Sequence, residues 1–328
     1  MIVVTGGTGF LGLAVVREFL ARGLPVRAVG RDPDRCELLA SLGATVVCGD
    51  LRDGRLVADA CRDARAVVHA GALSAPFGAR AEFFATNVEG TGNVVAACRR
   101  HGVRRLIHIS SPAVVFDGSD QLNAREDVPY PQRYSSNYAW SKRLAEECVR
   151  AAGLDAVILR PKAIFGPGDT ALLPRLVRAA RAGRLPQIGA GRNRVDLTYV
   201  ANVVHAIALA LDAPRALGGT YTITNDEHVE LWPVIRRVLA HCGLDTRLRR
   251  IPIALALGLG RTLELSARIS GGEPLLTRYT AAILGRHQTY DITAARRDLG
   301  YEPIVPFERG LEASLAALQG ADETGAGV

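Results

Sequence analysis

No two of the six cysteines, Cys36, Cys48, Cys61, Cys98, Cys148 and Cys242, stand in CxxC spacing, and their density is far below that of a disulfide-stapled scaffold. They read as small buried hydrophobes. The seven histidines form no HExxH or other closely spaced ligand pair, so no metal site is expected. Long apolar runs are missing too: the stretch Ile251 to Gly260 is too short to span a bilayer. Met1 leads at once into a strand-like IVV and a glycine-rich turn, which leaves no room for a signal peptide. Cytoplasmic residence is therefore the expectation. The formal charge is +7, yet the basic residues are scattered, and the run Arg247 to Arg250 is short and lacks interleaved aromatics. Nucleic-acid binding is not expected; a basic surface instead suits anionic cofactors and substrates.

What is present is the composition of a folded enzyme-sized body, with 48% hydrophobic and 22% charged residues in 328. Strand-like runs at Ile2 to Val4, Val26 to Val29, Thr45 to Val47, Ala66 to His69, Leu106 to Ile109 and Ala156 to Leu159 alternate with amphipathic stretches such as Leu13 to Arg22 and Asn87 to Arg100. Strands separated by helices predict an α/β fold, a doubly wound parallel Rossmann sheet covered on both faces. After Gly166 glycine and proline become denser and the alternation lapses. Residues 1–168 are thus expected to form the doubly wound domain, and 169–328 mainly a smaller domain. Residues 218–224 look like a further strand returning to the main sheet, which makes the smaller domain discontinuous. The small, polar residues 320–328 are expected to fray.

The segment TGGTGFLG, residues 5–12, follows a strand and opens a helix, the context in which a GxGxxG pattern points to a dinucleotide. Gly6 or Gly7 allows the tight turn, Gly9 lets the backbone approach a pyrophosphate, and Gly12 lets the helix pack closely. Together with Thr8, Phe10 and Leu11 they form the expected cofactor-binding turn, with helix amides directed at the phosphates. NAD-binding units carry an acid about 20 residues on, for the ribose hydroxyl. Here Gly30 and Arg31 occupy that place, so NADP(H) is preferred and NAD(H) stays open, since Asp32 could turn inward.

Tyr138 and Lys142 make a YxxxK pattern, one helical turn apart and therefore on one face. Of 40 Lys and Arg residues only Lys142 and Lys162 are lysine, so a chain that writes its cations as arginine puts a compact ammonium beside this tyrosine. An adjacent ammonium and the positive ring of an oxidised cofactor favour the phenolate, which makes Tyr138 a general base for alcohol oxidation and, protonated, a general acid for carbonyl reduction. Ser110 and Ser111, just after the fifth strand, offer a hydroxyl to hold the reacting oxygen.

With TGGTGFLG, HISSPAVVF, YAWSK and LRPKAIFGPGD in this order, and RVDLTYVANVV and YDITAARRDLGYEP beyond them, the chain resembles the extended short-chain dehydrogenase/reductases over almost its whole length. The resemblance implies a triad of Ser111, Tyr138 and Lys142, with Lys142 also holding the nicotinamide ribose. Ser111 is chosen over Ser110 because Val114 follows three residues later, as in the family. Asp50 and Leu51 match the adenine-contacting pair, Ala70, Gly71 and Ala72 the stretch under the cofactor, and Pro161 and Ile164 positions beside the nicotinamide. SSPAVVF and RVDLTYV look most like the 3β-hydroxysteroid dehydrogenase branch. Pro112 and Ala113 stand where sugar-nucleotide dehydratases carry an Asp-Glu pair, which disfavours dehydration.

The leading expectation is an NAD(P)-dependent oxidoreductase of a secondary alcohol or ketone on a large hydrophobic substrate, such as a 3β-hydroxysteroid or an alkyl 3-keto acid. The alternatives are a nucleotide-sugar 4-epimerase with tightly bound NAD and a non-catalytic dinucleotide-binding regulator. By resemblance the chain is a homodimer through helices near 82–100 and 136–150. The apolar segment 251–260, with Arg250, Arg261 and Arg268 nearby, is either a buried helix or an apolar lid with peripheral membrane contact.

Overall fold

A computed structural model describes residues 1–270, 272 and 274–323. Seven strands form the central sheet: β1 (Ile2–Thr5), β2 (Val26–Gly30), β3 (Thr45–Cys48), β4 (Ala66–His69), β5 (Arg105–Ile109), β6 (Ala156–Pro161) and β7 (Thr220–Ile223). Their order is β7-β6-β5-β4-β1-β2-β3, and every pairing is parallel. From β1 the chain winds outward to β2 and β3, then crosses back to β4 on the other side. Such a switch point opens a crevice at the carboxyl ends of β1 and β4.

Side chains of period 2 feed two cores. Ile2 and Val4 of β1, Ala28 of β2, Ile107 of β5, and Val157 and Leu159 of β6 pack on one face, with Val15, Val16 and Phe19 of helix α1 (Phe10–Ala21). Val3, Val29, Leu106 and Ile158 pack on the other with Val94, Val95 and Cys98. Because both faces are covered, the strands are nearly continuous apolar runs. Helix α2 (Pro33–Ser41) joins β2 to β3, and α3 (Gly54–Ala60) joins β3 to β4. Residues 80–100 are one helical stretch, a short turn Arg80–Phe83 and a π-helical Phe84–Glu89 leading into α4 (Gly90–Arg100). Helix α5 (Asn137–Ala151) then precedes β6.

Beyond β6 the chain builds a second layer. Its four-stranded sheet runs Val229–Glu230, Arg194–Val195, Gln288–Tyr290 and Gln121–Ala124. The last of these comes from the loop after β5, so the small sheet draws on chain from within the first 168 residues. Helix α6 (Ile253–Ser270) packs on α7 (Arg278–Gly285). The apolar run in α6 divides: Ala256 is buried, whereas Leu255 and Leu259 are 52% and 43% exposed. Arg268's side chain lies outside the described residues. No described helix is long and apolar enough to cross a membrane. The C-terminal helix Phe307–Glu323 extends into the segment expected to fray, because Phe307, Leu311 and Leu315 dock it into an apolar cluster; residues 324–328 lie outside the described residues.

Candidate active site

Between β1 and α1 the backbone must double back beneath β4. Gly6 has φ +71°, and a Cβ on it would lie 2.6 Å from the backbone of Gly71. A Cβ on Gly12 would lie 2.0 Å from the Gly6 carbonyl oxygen, so only glycine lets α1 start this close to the turn. Gly7 N–H donates to Val29 O at 2.9 Å and Gly9 N–H to Gly6 O at 2.8 Å, which fixes the loop. Helix α1 is capped at Gly9 without a side-chain hydrogen bond. Thr8, Phe10 and Leu11 complete a cradle whose first helical amides have no side-chain acceptor, a fit for a pyrophosphate.

At the end of β2 a Cβ on Gly30 would meet the Thr8 side chain at 2.4 Å, so a larger residue there would have to displace Thr8. Asp32 does not turn inward: its carboxylate caps α2, accepting from Arg35 N–H at 3.1 Å. Arg31 is largely exposed, with its guanidinium 3.3 Å from Asp50. Arg35, which the sequence reading passed over, donates to Thr8 O at 2.8 Å and lies one helical turn after Arg31. Hydrogen bonds from Arg52 hold the Asp50 carboxyl down at about 2. Leu51 is buried against Gly71. Ala70 and Gly71 continue β4 toward the turn, and Ala72 is exposed beyond them.

On the other side of the crevice β5 ends in the two serines. Ser110 is 3% exposed and closed into the interior; Ser111 keeps part of its surface and accepts from Ala113 N–H at 3.2 Å, capping the turn Pro112–Val115. The Tyr138 phenol, on the first turn of α5, is pushed up by burial, while hydrogen bonding with Ser111 and Ser74 works against that rise. The structure therefore brings Ser111 and Tyr138 together. Lys142, one turn on and 2% exposed, donates to Ile109 O at 2.7 Å and lies 3.2 Å from His108 Nε2. Burial brings its amine down to about 8, opposed by the Glu146 charge a turn further along. Pro161 is buried at the end of β6, and Ile164 is half-buried in the short strand Ile164–Phe165.

Several supporting residues carry no motif. Asn87, in the π-helical turn, accepts from Leu73 N–H at 2.6 Å and donates to Leu73 O at 3.0 Å and to Ser141 Oγ at 2.9 Å. It ties the loop after β4 to the helix of Tyr138 and Lys142, and π-turns often mark such places. His69 lies 2.7 Å from Thr5 Oγ1 and 2.9 Å from Thr91 Oγ1, and burial lowers it to about 3. Burial and Lys142 also push His108 well below its usual value, so both rings are neutral. A histidine in each of two core strands, AVVH and RLIHI, is the sequence signal for this pair. Glu146 is enclosed by Arg160, at 2.9 and 2.7 Å, and by Tyr130 Oη at 2.6 Å. Burial alone would raise its carboxyl, but Arg160 outweighs burial and keeps it ionised.

Residues 3–254 match the 3-beta hydroxysteroid dehydrogenase/isomerase family. The chain is 38% identical to a 2-alkyl-3-oxoalkanoate reductase of Stenotrophomonas maltophilia, over 94% of this chain and 97% of that one. It is 35% identical to 3beta-hydroxysteroid-dehydrogenase/decarboxylase isoform 1 of Arabidopsis thaliana, over 95% and 78%. Among solved structures, a short-chain dehydrogenase/reductase superfamily protein from Agrobacterium tumefaciens with bound NAD superposes with a TM-score of 0.75 at 27% identity, over 99% of each chain.

Lys142 makes stability depend on pH. Its folded value of about 8 lies below the ordinary 10.5, so between those limits the unfolded chain binds more protons and unfolding free energy rises with pH. Urea unfolding at about pH 8 and pH 10 should show a gain on the order of 2 kcal/mol over that interval in the wild type relative to Lys142→Met. A difference between the two proteins that does not change with pH would contradict the burial of a titrating amine.

Proposed function

Because this chain belongs to the 3-beta hydroxysteroid dehydrogenase/isomerase family, it is an NAD(P)-dependent oxidoreductase, and we propose that Ser111, Tyr138 and Lys142 interconvert a secondary alcohol and a ketone on a rather large hydrophobic substrate. The observation that carries the reading is the Tyr138 phenol beside the Ser111 hydroxyl, on the same helix face as a buried lysine, at the carboxyl edge of the sheet. A nicotinamide dinucleotide on the glycine turn supplies the hydride donor or acceptor. In reduction Tyr138 Oη gives its proton to the oxygen of the ketone; in oxidation the phenolate takes the proton of the alcohol. Ser111 donates to the same oxygen as charge develops. Lys142 would hold the cofactor's ribose hydroxyls, from the same helix face as Tyr138. Pro161 and Ile164 would help to hold the nicotinamide, Asp50 and Leu51 the adenine, and Ala70, Gly71 and Ala72 would also contact the cofactor.

Substrate chemistry follows from two relatives. The Stenotrophomonas protein is named for reducing 2-alkyl-3-oxoalkanoates and the Arabidopsis protein for dehydrogenating 3β-hydroxysteroids, both apolar bodies with oxygen on the third carbon. Helix α6 fits such a substrate: Leu255 and Leu259 leave apolar surface uncovered, and α7, packed on α6, carries Tyr279 near Tyr138. We read α6 as an apolar lid, able to touch a membrane surface. Residues 82–100 and 136–150 form the homodimer contact in this reading; within one chain Phe84 of the first segment stacks on Trp140 of the second, with centroids 6.0 Å apart.

Tyr138→Phe should keep the cofactor bound and lower turnover by at least about 100-fold, since it removes the proton and leaves the ring. Near wild-type rates on an alkyl 3-keto acid would refute the assignment. NADPH should bind more tightly than NADH by a factor of about 10 to 100, through charge-assisted bonds from Arg31 and Arg35 to the 2'-phosphate. Cofactor titrations decide this, and the preference should shrink in Arg31→Ala; equal affinities for the two cofactors would reject the arginines as readers. Replacing Leu255 and Leu259 by Ser should raise KM for long ketones far more than for short ones, each buried methylene contributing about 0.8 kcal/mol. A folded double variant with unchanged KM for every chain length would rule out the lid.

A further inference from the structure

The cysteines read from the sequence as small buried hydrophobes, but Cys48, at the end of the edge strand β3, is exposed. Alternation along the strand decides which way it points. Val46 packs in the core shared by Ala28 and Leu39, so Cys48, two residues on, stands on the same face of the sheet, the one that α2 covers. Cys36 lies three residues before Leu39 on α2, hence on the same side of that helix, and is buried. Helix and strand thus bring the two sulfurs to one place. Cys36 Sγ donates to Gly30 O at 3.7 Å and Cys48 Sγ to Arg31 O at 4.0 Å, and the two thiols are within hydrogen-bonding reach of each other. Gly30 is also the β2 partner of Cys48 in the sheet register.

The assigned chemistry makes no use of this pair, yet it is built into the loop that carries Arg31 and Arg35. Arg31 follows Gly30, and both of their carbonyls accept from the thiols. Arg35 precedes Cys36 and donates to Thr8 O at 2.8 Å, so the start of α2 is tied to the glycine turn. The Cys36 N–H in turn donates to Asp32 O at 2.9 Å. The two sulfurs have different surroundings. Burial first, and Cys48 next, push the Cys36 thiol up to about 12, which keeps it protonated, while Cys48 meets solvent. An exposed sulfur backed by a second thiol is the arrangement in which the first is oxidised and the other resolves it.

We propose that Cys36 and Cys48 are a redox pair, joined by peroxide into a disulfide that weakens dinucleotide binding at the adjoining turn. The effect on the cofactor rests on the oxidoreductase reading; formation of the bond does not. The Cys48 thiolate attacks one oxygen of hydrogen peroxide, the O–O bond breaks, and hydroxide leaves to take up the proton that Cys48 released. Cys36 sulfur then attacks the resulting sulfenic sulfur, whose hydroxyl departs as water with the Cys36 proton. Two thiols lose two electrons and two protons, and one peroxide becomes two waters. Neither sulfur then has a proton to give the Gly30 and Arg31 carbonyls, and the first turn of α2, with Arg35, is pinned to β3. A dithiol reductant reverses the step.

The test treats the whole enzyme with hydrogen peroxide, blocks remaining thiols with iodoacetamide, and measures NADPH affinity and peptide masses on the same samples. No lysine or arginine stands between Arg35 and Arg52, so trypsin releases both cysteines in one peptide. After peroxide that peptide should be lighter than its reduced form by two hydrogens and carry no iodoacetamide label. NADPH affinity should fall by at least about 10-fold, as when a charge-assisted contact is lost, and return with dithiothreitol. Cys48→Ser should bind NADPH like the reduced wild type and be unmoved by peroxide. A peptide that keeps both thiols, or carries added oxygen in place of the bond, overturns the proposal. So does a disulfide that leaves affinity unchanged, or a Cys48→Ser protein that loses affinity as the wild type does. The wild-type samples decide on their own should the variant fail to fold. Reduced protein that binds neither NADPH nor NADH counts against the oxidoreductase reading, and the peptide mass then still decides whether the pair forms its bond.

Discussion

An ammonium enclosed by protein, that of Lys142, is the constraint to which the surroundings of the site answer. Taking such a charge out of water costs several kcal/mol unless polar groups replace the water. Here the Ile109 carbonyl and His108 Nε2 replace it. His108 accepts only because burial keeps its ring neutral, and its Nδ1 is left buried without a partner, a cost accepted to keep Nε2 free for the lysine. Glu146, one turn on, supplies negative charge at a distance. It stays ionised because Arg160 and Tyr130 hold its oxygens. Asn87 and Ser141 then fix the helix against the loop after β4. Each contact has its reason in the position of one lysine.

The opposite wall of the crevice is built by closeness of backbone rather than by charge. Gly6, Gly12 and Gly71 touch where side chains would collide, and the result is a helix start with open amides. In the proposed reading, phosphate recognition at that wall and proton transfer at the other are separated by the switch point between β1 and β4. One wall is polar backbone in a rigid turn, and the other is side chains on a helix. Their spacing is set by the width of the parallel sheet, about 4.8 Å per strand.

The sheet was legible in the sequence because its inner strands are covered on both faces, so they are apolar runs with little polar interruption. The glycine turn and the Tyr138 and Lys142 pair were legible because local spacing alone places them. What escaped depends on partners distant in the chain. Nothing near Asn87 announces Leu73 and Ser141, and Tyr279 comes to Tyr138 only through the packing of α7. The pairing of Gln288–Tyr290 with Gln121–Ala124 joins segments more than 160 residues apart, beyond any periodicity. Arg35 was overlooked for a different reason. Its meaning depends on Asp32 spending its carboxylate on the helix cap, which turns an acidic neighbour into a spectator. In the segment 251–260, composition alone could not separate core from surface; only the winding of α6 shows Ala256 inward and Leu255 outward.

The electrostatics of the site carry a direction. Burial is the largest influence on the Tyr138 phenol and it favours the protonated form, while the hydroxyls of Ser111 and Ser74 only partly offset it. Lys142 is turned toward Ile109 and His108, so its field reaches the phenol only from a distance. Burial therefore favours the protonated phenol, which in the proposed reading is the state a ketone needs from its general acid. Oxidation demands the phenolate, and therefore a cation brought close to Tyr138 at the moment of reaction. In the proposed reading, reduction uses the phenol in the form that burial favours, whereas oxidation works against that burial.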